Sequence, residues 1–245
     1  MIRSPKTLLT LFLGLISISS YAQMPDKFTN LQFFPKDIAK DDLMQTMRGF
    51  SFALGVRCEH CHEGGGELNK MNFASDSKEE KRTARVMLKM VADINRDYLG
   101  KIGKTSPLQV QCVTCHHGLA RPQTIDSVFT ADLEKKDLVS AISEYKDLRQ
   151  KYYGTARYDF GETPLNVLTE KLLKQDKNKE AVAVMDLNAE FNSPLSVWGS
   201  NLQIMSDLAN QNTAKAKDDL RKTVAAHPDD KWAVGKLEEL EGKQK

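Results

Sequence analysis

The residues of this chain that could do chemistry lie in two short segments, C-E-H-C-H at residues 58–62 and C-V-T-C-H at residues 112–116, which hold its four cysteines. Two cysteines about one helical turn apart can each form a thioether with haem, and the histidine that follows can ligate the iron. The spacing therefore predicts two covalently attached c-type haems. The predicted attachment residues are Cys58, Cys61 and His62 for the first haem, and Cys112, Cys115 and His116 for the second.

Other uses of a C-x-x-C pair are a disulfide, a redox dithiol and half of a zinc site. The histidine directly after both pairs favours haem attachment, because none of these alternatives needs it. A zinc site built from both pairs stays possible in principle, although the gap of roughly 50 residues is longer than usual. The remaining histidines, His60, His117 and His227, are interpreted as structural or surface residues.

The amino terminus has the pattern of a secretory signal peptide. Basic residues Arg3 and Lys6 precede an apolar run of about a dozen residues, and small residues end at Ala22. A membrane-spanning helix needs roughly 20 residues, so we expect cleavage after Ala22 and a periplasmic protein without a membrane span. The alternative is that the segment stays as an uncleaved anchor. The whole chain has 35 Lys and Arg against 33 Asp and Glu, and removing the two cations leaves equal numbers. This balance gives no indication of nucleic-acid binding.

A helix is predicted before each of the two tethers. Before the first tether, Leu43, Met47, Phe50 and Leu54 recur at helical spacing and Gly55 ends the pattern. Met44 lies beside this stripe.

Before the second tether, residues 77–100 predict a longer helix that opens with a capping box of Ser77 and Glu80. Met87 lies on its apolar stripe and Met90 on the flank. A methionine can be the sixth ligand of a haem iron, but it is also a common core residue. The pattern alone leaves these uses open.

The order of these elements resembles the cytochrome c subunit of photosynthetic reaction centres. The resemblance covers about residues 30–123, where a helix leads into L-G-V-R-C-E-H-C-H, a second helix carries M-L-K-M, and C-V-T-C-H is followed by Gly118 and Pro122. It implies that Met47, rather than Met44, ligates the first haem. It also implies that Met90, rather than Met87, ligates the second. Such subunits typically carry four haems, whereas this chain has two tethers.

The rest of the chain is predicted to be helical. One helix is expected over about Asp132–Tyr152, followed by a weak repeat of 34 residues between Pro194 and Pro228 that is similar to tetratricopeptide repeats. The alternative is a plain helical bundle. Trp198, Trp232 and Met205 are expected in its core, because large apolar residues are usually buried.

The sequence thus predicts an all-α protein. Its expected parts are a signal peptide (1–22), a dihaem domain (23–130) of haem-packing helices that each lead into a C-x-x-C-H turn, and a tetratricopeptide-like region (131–245). The predicted function is electron relay between redox partner proteins. Two alternatives remain: a peroxidase-like dihaem enzyme with one open iron, and a haem subunit that docks to a membrane complex through its carboxyl-terminal helices.

Overall fold

The computed structural model describes residues 27–65, 67–102 and 108–242, so the predicted signal peptide lies outside the described residues. Ten α-helices occur in these ranges. They are α1 (Lys40–Leu54), α2 (Glu79–Asp93), α3 (Cys112–His116), α4 (Ile125–Lys135), α5 (Leu138–Tyr152), α6 (Glu162–Lys174), α7 (Asn178–Asn192), α8 (Val197–Ala209), α9 (Thr213–Ala226) and α10 (Lys231–Leu240).

Extended pairing in these ranges is limited to one antiparallel bridge between Glu63 and Asn72, and the prediction of an all-α fold is confirmed. None of the described helices has both the length and the apolar character needed to cross a bilayer.

The chain divides into two compact units. The first unit comprises the described residues up to Arg48 together with Arg57–Gln109, and the second comprises Gly49–Val56 and the described residues from Val110 onward. The first tether therefore belongs to the first unit, and the second tether belongs to the same unit as α4–α10. The predicted domain boundary at residue 130 stays a prediction.

The second unit has a well-formed apolar core. Helices α4–α7 pack around one cluster, and α8–α10 pack around another. The first cluster contains Ile125, Phe129, Ala141, Tyr145, Phe160, Leu165, Leu168, Leu172, Ala181, Val184 and Leu187. The second contains Ile204, Ala216, Leu220 and Ala233.

The first unit is built differently, because it buries few of its apolar side chains. Among its described residues, Leu43 is the one hydrophobic side chain that is fully buried. Several large apolar side chains are exposed instead: Phe33, Val86, Met87, Met90, Tyr98, Ile102 and Leu108. Val86, Met87 and Met90 lie together on α2. A contiguous exposed apolar surface usually marks a binding site, so α2 presents a face suited to an apolar ligand or partner.

The predicted helix before the first tether is confirmed. Helix α1 ends at Leu54, and Gly55 follows with a φ of 68°. A left-handed residue after the last turn is a common helix terminator, and glycine adopts it without steric cost.

The helix before the second tether begins later than predicted. Helix α2 starts at Glu79 after Lys78, and no side chain caps it. The predicted capping box of Ser77 and Glu80 is therefore wrong: the Ser77 hydroxyl accepts a hydrogen bond from Ser75 Oγ at 3.1 Å, within the preceding loop. The helix then continues as a π-helical turn at Ile94–Tyr98 and a 3₁₀ turn at Leu99–Lys101, close to the predicted end.

The single helix predicted over Asp132–Tyr152 is also wrong, because the chain breaks between α4 and α5. Lys136 leaves helical geometry, and Asp137 caps the new helix by accepting a hydrogen bond from the Ser140 amide at 2.7 Å. An aspartate at this position satisfies an amide that a helix start leaves unpaired, so the periodic residues on either side belong to two helices.

Helices α6–α9 form two consecutive helical hairpins, in which α6 packs on α7 and α8 packs on α9. Ala181 and Ala216 are fully buried at the same place in the two hairpins. The hairpins fit the predicted repeat, and its assignment to the tetratricopeptide class stays a prediction.

The prediction that Trp198, Trp232 and Met205 are core residues is wrong. Their exposed fractions are 38%, 38% and 42%. The buried positions of α8 are taken by side chains such as Leu202 and Ile204, whereas Trp198 and Met205, seven residues apart, lie side by side at the exposed edge of the buried face. The Trp198 indole N–H donates to Glu170 at 2.9 Å, so the ring is held on the surface of the unit.

Candidate haem-attachment sites

The first tether is a single 3₁₀ turn, Cys58–His60, that follows Gly55 closely. The amides of Cys61 and His62 both donate to the Cys58 carbonyl, at 3.2 and 3.0 Å. This turn gathers both thiols and the imidazole into five consecutive residues. Cys58 is exposed and Cys61 half-buried, so the sulfurs stand at the surface of the unit, where a planar group could be attached.

His62 is enclosed on one side by Phe73, whose ring lies edge-on with centroids 5.0 Å apart. The buried Nδ1 of His62 makes no hydrogen bond of good geometry, although the Phe73 backbone is close enough to act as a weak acceptor. Burial lowers the pKa of His62, and the nearby cations, Lys81 first, add to this. The ring is therefore neutral at neutral pH, which is the form that binds iron.

A loop at residues 72–77 supplies the wall beside His62, and Lys81 of α2 holds it. Lys81 is buried, with an exposed fraction of 8%. Its ammonium donates to the carbonyls of Phe73 at 2.8 Å and Ser75 at 2.6 Å, and it pairs with Asp76 at 3.1 Å. This role was not predictable from the sequence, because a lysine in a charged helix gives no sign that it points inward.

Asp76 is the anionic centre of the same loop. Its carboxylate pairs with Arg85 at 2.7 Å, and this bond, with further hydrogen bonds from Asn30 and Lys81, holds the pKa of Asp76 well below its usual range. The Asn30 side chain also donates to the Ala74 carbonyl at 2.6 Å. The loop is thus fixed from two sides.

The second tether is itself a short helix, α3, whose first residue is Cys112 and whose last is His116. Gln111 and Thr114 form a reciprocal capping box at its start, with the Gln111 amide 3.0 Å from the Thr114 hydroxyl. Cys112 is half-buried and Cys115 exposed. One turn of helix therefore brings the two thiols and the histidine together.

His116 has a defined orientation. Its Nδ1 lies 2.8 Å from the Leu119 carbonyl, and the Leu119 amide in turn donates to the His116 carbonyl at 2.8 Å. A backbone carbonyl only accepts hydrogen bonds, so Nδ1 carries the proton and Nε2 has the free lone pair. This is the arrangement of a metal-binding histidine that is oriented by a backbone partner.

The turn after His116 depends on glycine. His117 and Gly118 both have left-handed backbones, with φ of 49° and 85°. The Gly118 amide donates to the Ala53 carbonyl at 2.8 Å, and a Cβ at Gly55 would lie 2.1 Å from the Gly118 carbonyl oxygen. The end of α1 and the second tether therefore meet backbone to backbone within the second unit, a contact that the sequence pattern did not reveal.

One thiol in each tether is disfavoured as a thiolate. Burial raises the pKa of Cys61, with Glu80 adding to the effect, and burial also raises the pKa of Cys112. A redox dithiol depends on a thiolate that is stabilised at neutral pH. The described residues also contain no group of three or more His, Cys, Asp or Glu side chains able to hold a metal ion.

The candidate methionine ligands lie on the helices where they were predicted. Met47 and Met44 are half-buried on α1, whereas Met87 and Met90 are exposed on α2, at 41% and 45%. An open groove of about 640 Å³ runs along α2 beside Met90. Its lining residues are Val86, Lys89, Met90, Asp93, Ile94 and Tyr98. Met90 belongs to the first unit and the second tether to the second, and the choice among the four methionines stays a prediction.

The other histidines are not oriented in this way. His60 lies within the first turn and is half-buried, and His117 is exposed in the left-handed turn after α3. His227 follows α9 and is half-buried. No hydrogen bond of their side chains is seen among the described residues, in contrast to His116.

The residues present fit a covalently bound haem at each tether. Each has two unpaired thiols and a histidine; Nδ1 of His116 lies at a backbone carbonyl, and Nδ1 of His62 is buried. Exposed apolar side chains lie on the neighbouring helices within each unit: Met87, Met90 and Tyr98 in the first, and Phe52 in the second.

The family model described as the photosynthetic reaction centre cytochrome C subunit matches residues 22–191. The chain belongs to this family. The match includes both tethers and both methionine-bearing helices, and it continues past residue 130 into the last turn of α7. The resemblance carried by the motifs is thereby confirmed and extends over α4–α7, which share a unit with the second tether.

Individual members and relatives are similar over shorter stretches. Cytochrome c-554 of Chloroflexus aurantiacus is 42% identical over 67 residues, which is 27% of this chain and 15% of the relative. The photosynthetic reaction center cytochrome c subunit of Rubrivivax gelatinosus is 30% identical over 104 residues, 36% of this chain and 27% of the relative. The subunit of Roseobacter denitrificans is 29% identical over 102 residues, covering 41% and 26%.

The chain thus aligns with about a quarter or less of the length of these curated relatives. No solved structure matches it. Membership of this cytochrome c subunit family implies covalently bound haem c and supports an electron-transfer role.

Proposed function

We propose that the chain is a periplasmic dihaem c-type cytochrome that relays electrons between protein partners. The observation that carries this proposal is the pair of C-x-x-C-H turns, each of which brings two free thiols and a histidine together. Haem c, when bound, supplies a one-electron centre whose potential depends on its axial ligands and burial. The chain's part is to attach, orient and partly cover it.

The roles of the individual residues follow from the sites. Cys58 and Cys61 in the first turn, and Cys112 and Cys115 in the second, form the thioethers. His62 and His116 are the proximal ligands.

Met47 and Met90 are proposed as the sixth ligands, on the resemblance to the family. Histidine and methionine together saturate the iron, raise its potential and leave no position for a substrate. This ligation favours electron relay over peroxidase-like chemistry.

The experiment is spectroscopic, on protein matured in a host that attaches haem c. Two low-spin haems with the red-edge methionine-to-iron charge-transfer band, and no binding of carbon monoxide to the reduced form, are expected. A high-spin fraction that binds carbon monoxide or peroxide rapidly would support the dihaem enzyme and overturn the relay.

A second candidate, a haem subunit docked to a larger redox complex in the membrane, is favoured by the exposed Trp198 and Met205 on one face of α8. Its test is the distribution of the cytochrome itself between the membrane and soluble fractions of its native cells. Release of a Trp198→Gln, Met205→Gln variant with unchanged haem spectra would support docking through this face. Equal distribution of variant and wild type between the two fractions would contradict docking through this face.

A further inference from the structure

A cation from the loop between α5 and α6 reaches the turn that follows the second tether. Arg157 Nε donates to the Gly118 carbonyl at 3.1 Å, and the guanidinium is half-buried. A Cβ at Gly118 would lie 3.1–3.3 Å from atoms of this guanidinium. Arg157 lies outside the predicted haem domain, yet it touches the residue two positions after the second proximal histidine.

Arg157 is itself held in place. Its guanidinium lies 5.2 Å from the centre of the Tyr152 ring, at the end of α5. Its amide donates to the Thr155 hydroxyl at 3.3 Å, and that hydroxyl donates to the Tyr152 carbonyl at 2.7 Å. Among the ion pairs of the described residues, none involves Arg157. Contacts at the end of α5, and not an ion pair with a carboxylate, therefore hold the Arg157 side chain near Gly118.

The Gly118 carbonyl and the Leu119 amide belong to the same planar peptide group, and that amide donates to the His116 carbonyl at 2.8 Å. The orientation of the Gly118 carbonyl therefore sets the position of Leu119. The Gly55 backbone packs against this oxygen from one side, and Arg157 binds it. The next carbonyl, that of Leu119, lies 2.8 Å from His116 Nδ1. Rotation of the Gly118 carbonyl would move the Leu119 carbonyl away from the His116 imidazole.

We propose that Arg157 is a positioning residue for His116: by fixing the Gly118 carbonyl, it keeps the Leu119 carbonyl on Nδ1 and Nε2 directed to the iron of the second haem. This inference deepens the proposed function and rests on it. Arg157 acts through the turn and does not touch the iron. The expected consequence falls on the second haem, because Arg157 binds the turn after His116, whereas His62 belongs to the other unit.

The test compares three variants of the full holoprotein. Arg157→Lys keeps charge and donor, Arg157→Gln keeps a donor without charge, and Arg157→Met keeps neither. The first readout is hydrogen exchange of the His116 Nδ1 proton, followed by NMR. We expect exchange about fivefold faster in Arg157→Met, the effect of weakening one hydrogen bond, and near wild-type rates in the other two.

The second readout is the reduction potential of the second haem. A firm Nδ1–H bond makes the imidazole a stronger donor to iron, so the potential should be higher in Arg157→Met than in the equally uncharged Arg157→Gln. Arg149→Met is the matched control, because Arg149 stacks 3.9 Å from the Tyr153 ring centre and lies on the same helix end. It should leave both readouts unchanged.

The possible results distinguish failure of the positioning role of Arg157 from failure of haem attachment at the second tether. Equal exchange and equal potential in Arg157→Met and Arg157→Gln would overturn the positioning role while both haems remain attached. Absence of haem from Cys112 and Cys115 in the wild type would overturn the proposed function. If Arg157→Met matures poorly, loss confined to the second haem and restored in Arg157→Gln supports the role, whereas loss at both tethers in both variants contradicts it.

Discussion

At the scale of single residues, the two tethers use different means to orient their histidines. His116 bonds directly to the Leu119 carbonyl, whereas His62 lies against Phe73 in a loop that Lys81 holds. The tether residues were predictable because covalent attachment demands a fixed spacing. Lys81 was not, since its burial depends on a loop whose path the local sequence does not specify.

Replacing Met47 tests the ligand assigned to the first haem. Met47→Ala should remove the red-edge charge-transfer band from one haem, convert that haem to a higher-spin form and lower its potential, because an axial thioether raises the potential. Optical spectra during a redox titration measure this. Met44→Ala on the same helix is the control; loss of the band in the control and not in Met47→Ala would reverse the assignment.

Replacing Lys81 tests the loop beside His62. Lys81→Met should leave two partly buried carbonyl groups without their donor, at a total cost of about 1–3 kcal/mol, and should loosen His62. Urea unfolding, with the first haem's spectrum as probe, measures the loss. Lys89→Met on the exposed face of α2 is the matched control, as its pair with Asp93 is solvent-exposed and such pairs contribute little. Equal stabilities would contradict the role.

Asp76 gives the same loop a pH dependence. The folded-state pKa of Asp76 is depressed by Arg85 first, so its stabilising contribution is fully present above the unfolded value near 3.8 and is lost as the pH falls below it. Acid titration of stability should show a weaker dependence below about pH 4 in Asp76→Asn. An identical acid profile in wild type and variant would show that the ion pairs do not stabilise the loop.

At the scale of elements, hydrophobic periodicity predicted where helices occur more accurately than where they begin and end. Helix α1 and its Gly55 stop were predicted correctly because the pattern and the terminator agree. The break at Asp137 was missed because apolar residues recur on both sides of it, and the Ser77 cap failed because Ser75 binds that hydroxyl. Trp198 and Met205 were predicted to be core residues because their side chains are large and apolar. Their position at the exposed edge of the buried face of α8 was not considered.

The approach of Gly55 to Gly118 makes a prediction about α1. Gly55→Ala should destabilise the protein by about 1–3 kcal/mol, because the backbone is left-handed there and the added methyl would meet the Gly118 carbonyl. Denaturant unfolding followed by circular dichroism measures it. Gly49→Ala is the control, since nothing lies within 4 Å of a Cβ there; within a helix it should stabilise by up to about 1 kcal/mol. A neutral Gly55→Ala would contradict the close contact.

At the scale of the whole molecule, the second tether shares a compact unit with the carboxyl-terminal helices, and the family match ends within α7. Leu187 is the last residue in sequence among the buried residues of the α4–α7 cluster. The motif-based resemblance stopped near residue 123 because the later helices carry no cysteine or histidine pattern to recognise. The structure shows that they pack as one cluster with residues that follow the tether.

Truncation tests this grouping. A chain ending at Asn192 keeps the α4–α7 cluster and should resist limited proteolysis around the second tether, with a low-spin second haem. A chain ending at Thr130 loses that cluster and should be cleaved there, because too little apolar surface remains buried. Equal resistance of the two chains would instead support the predicted domain boundary at residue 130.

Each C-x-x-C-H turn is expected to attach its own haem. The most direct measurement is haem per chain, by intact mass and haemochrome absorbance, in the wild type and in two paired variants, Cys58→Ala with Cys61→Ala and Cys112→Ala with Cys115→Ala. We expect two haems in the wild type and one in each variant. A wild-type chain with free thiols and bound zinc, or with both haems lost in either variant, would contradict it.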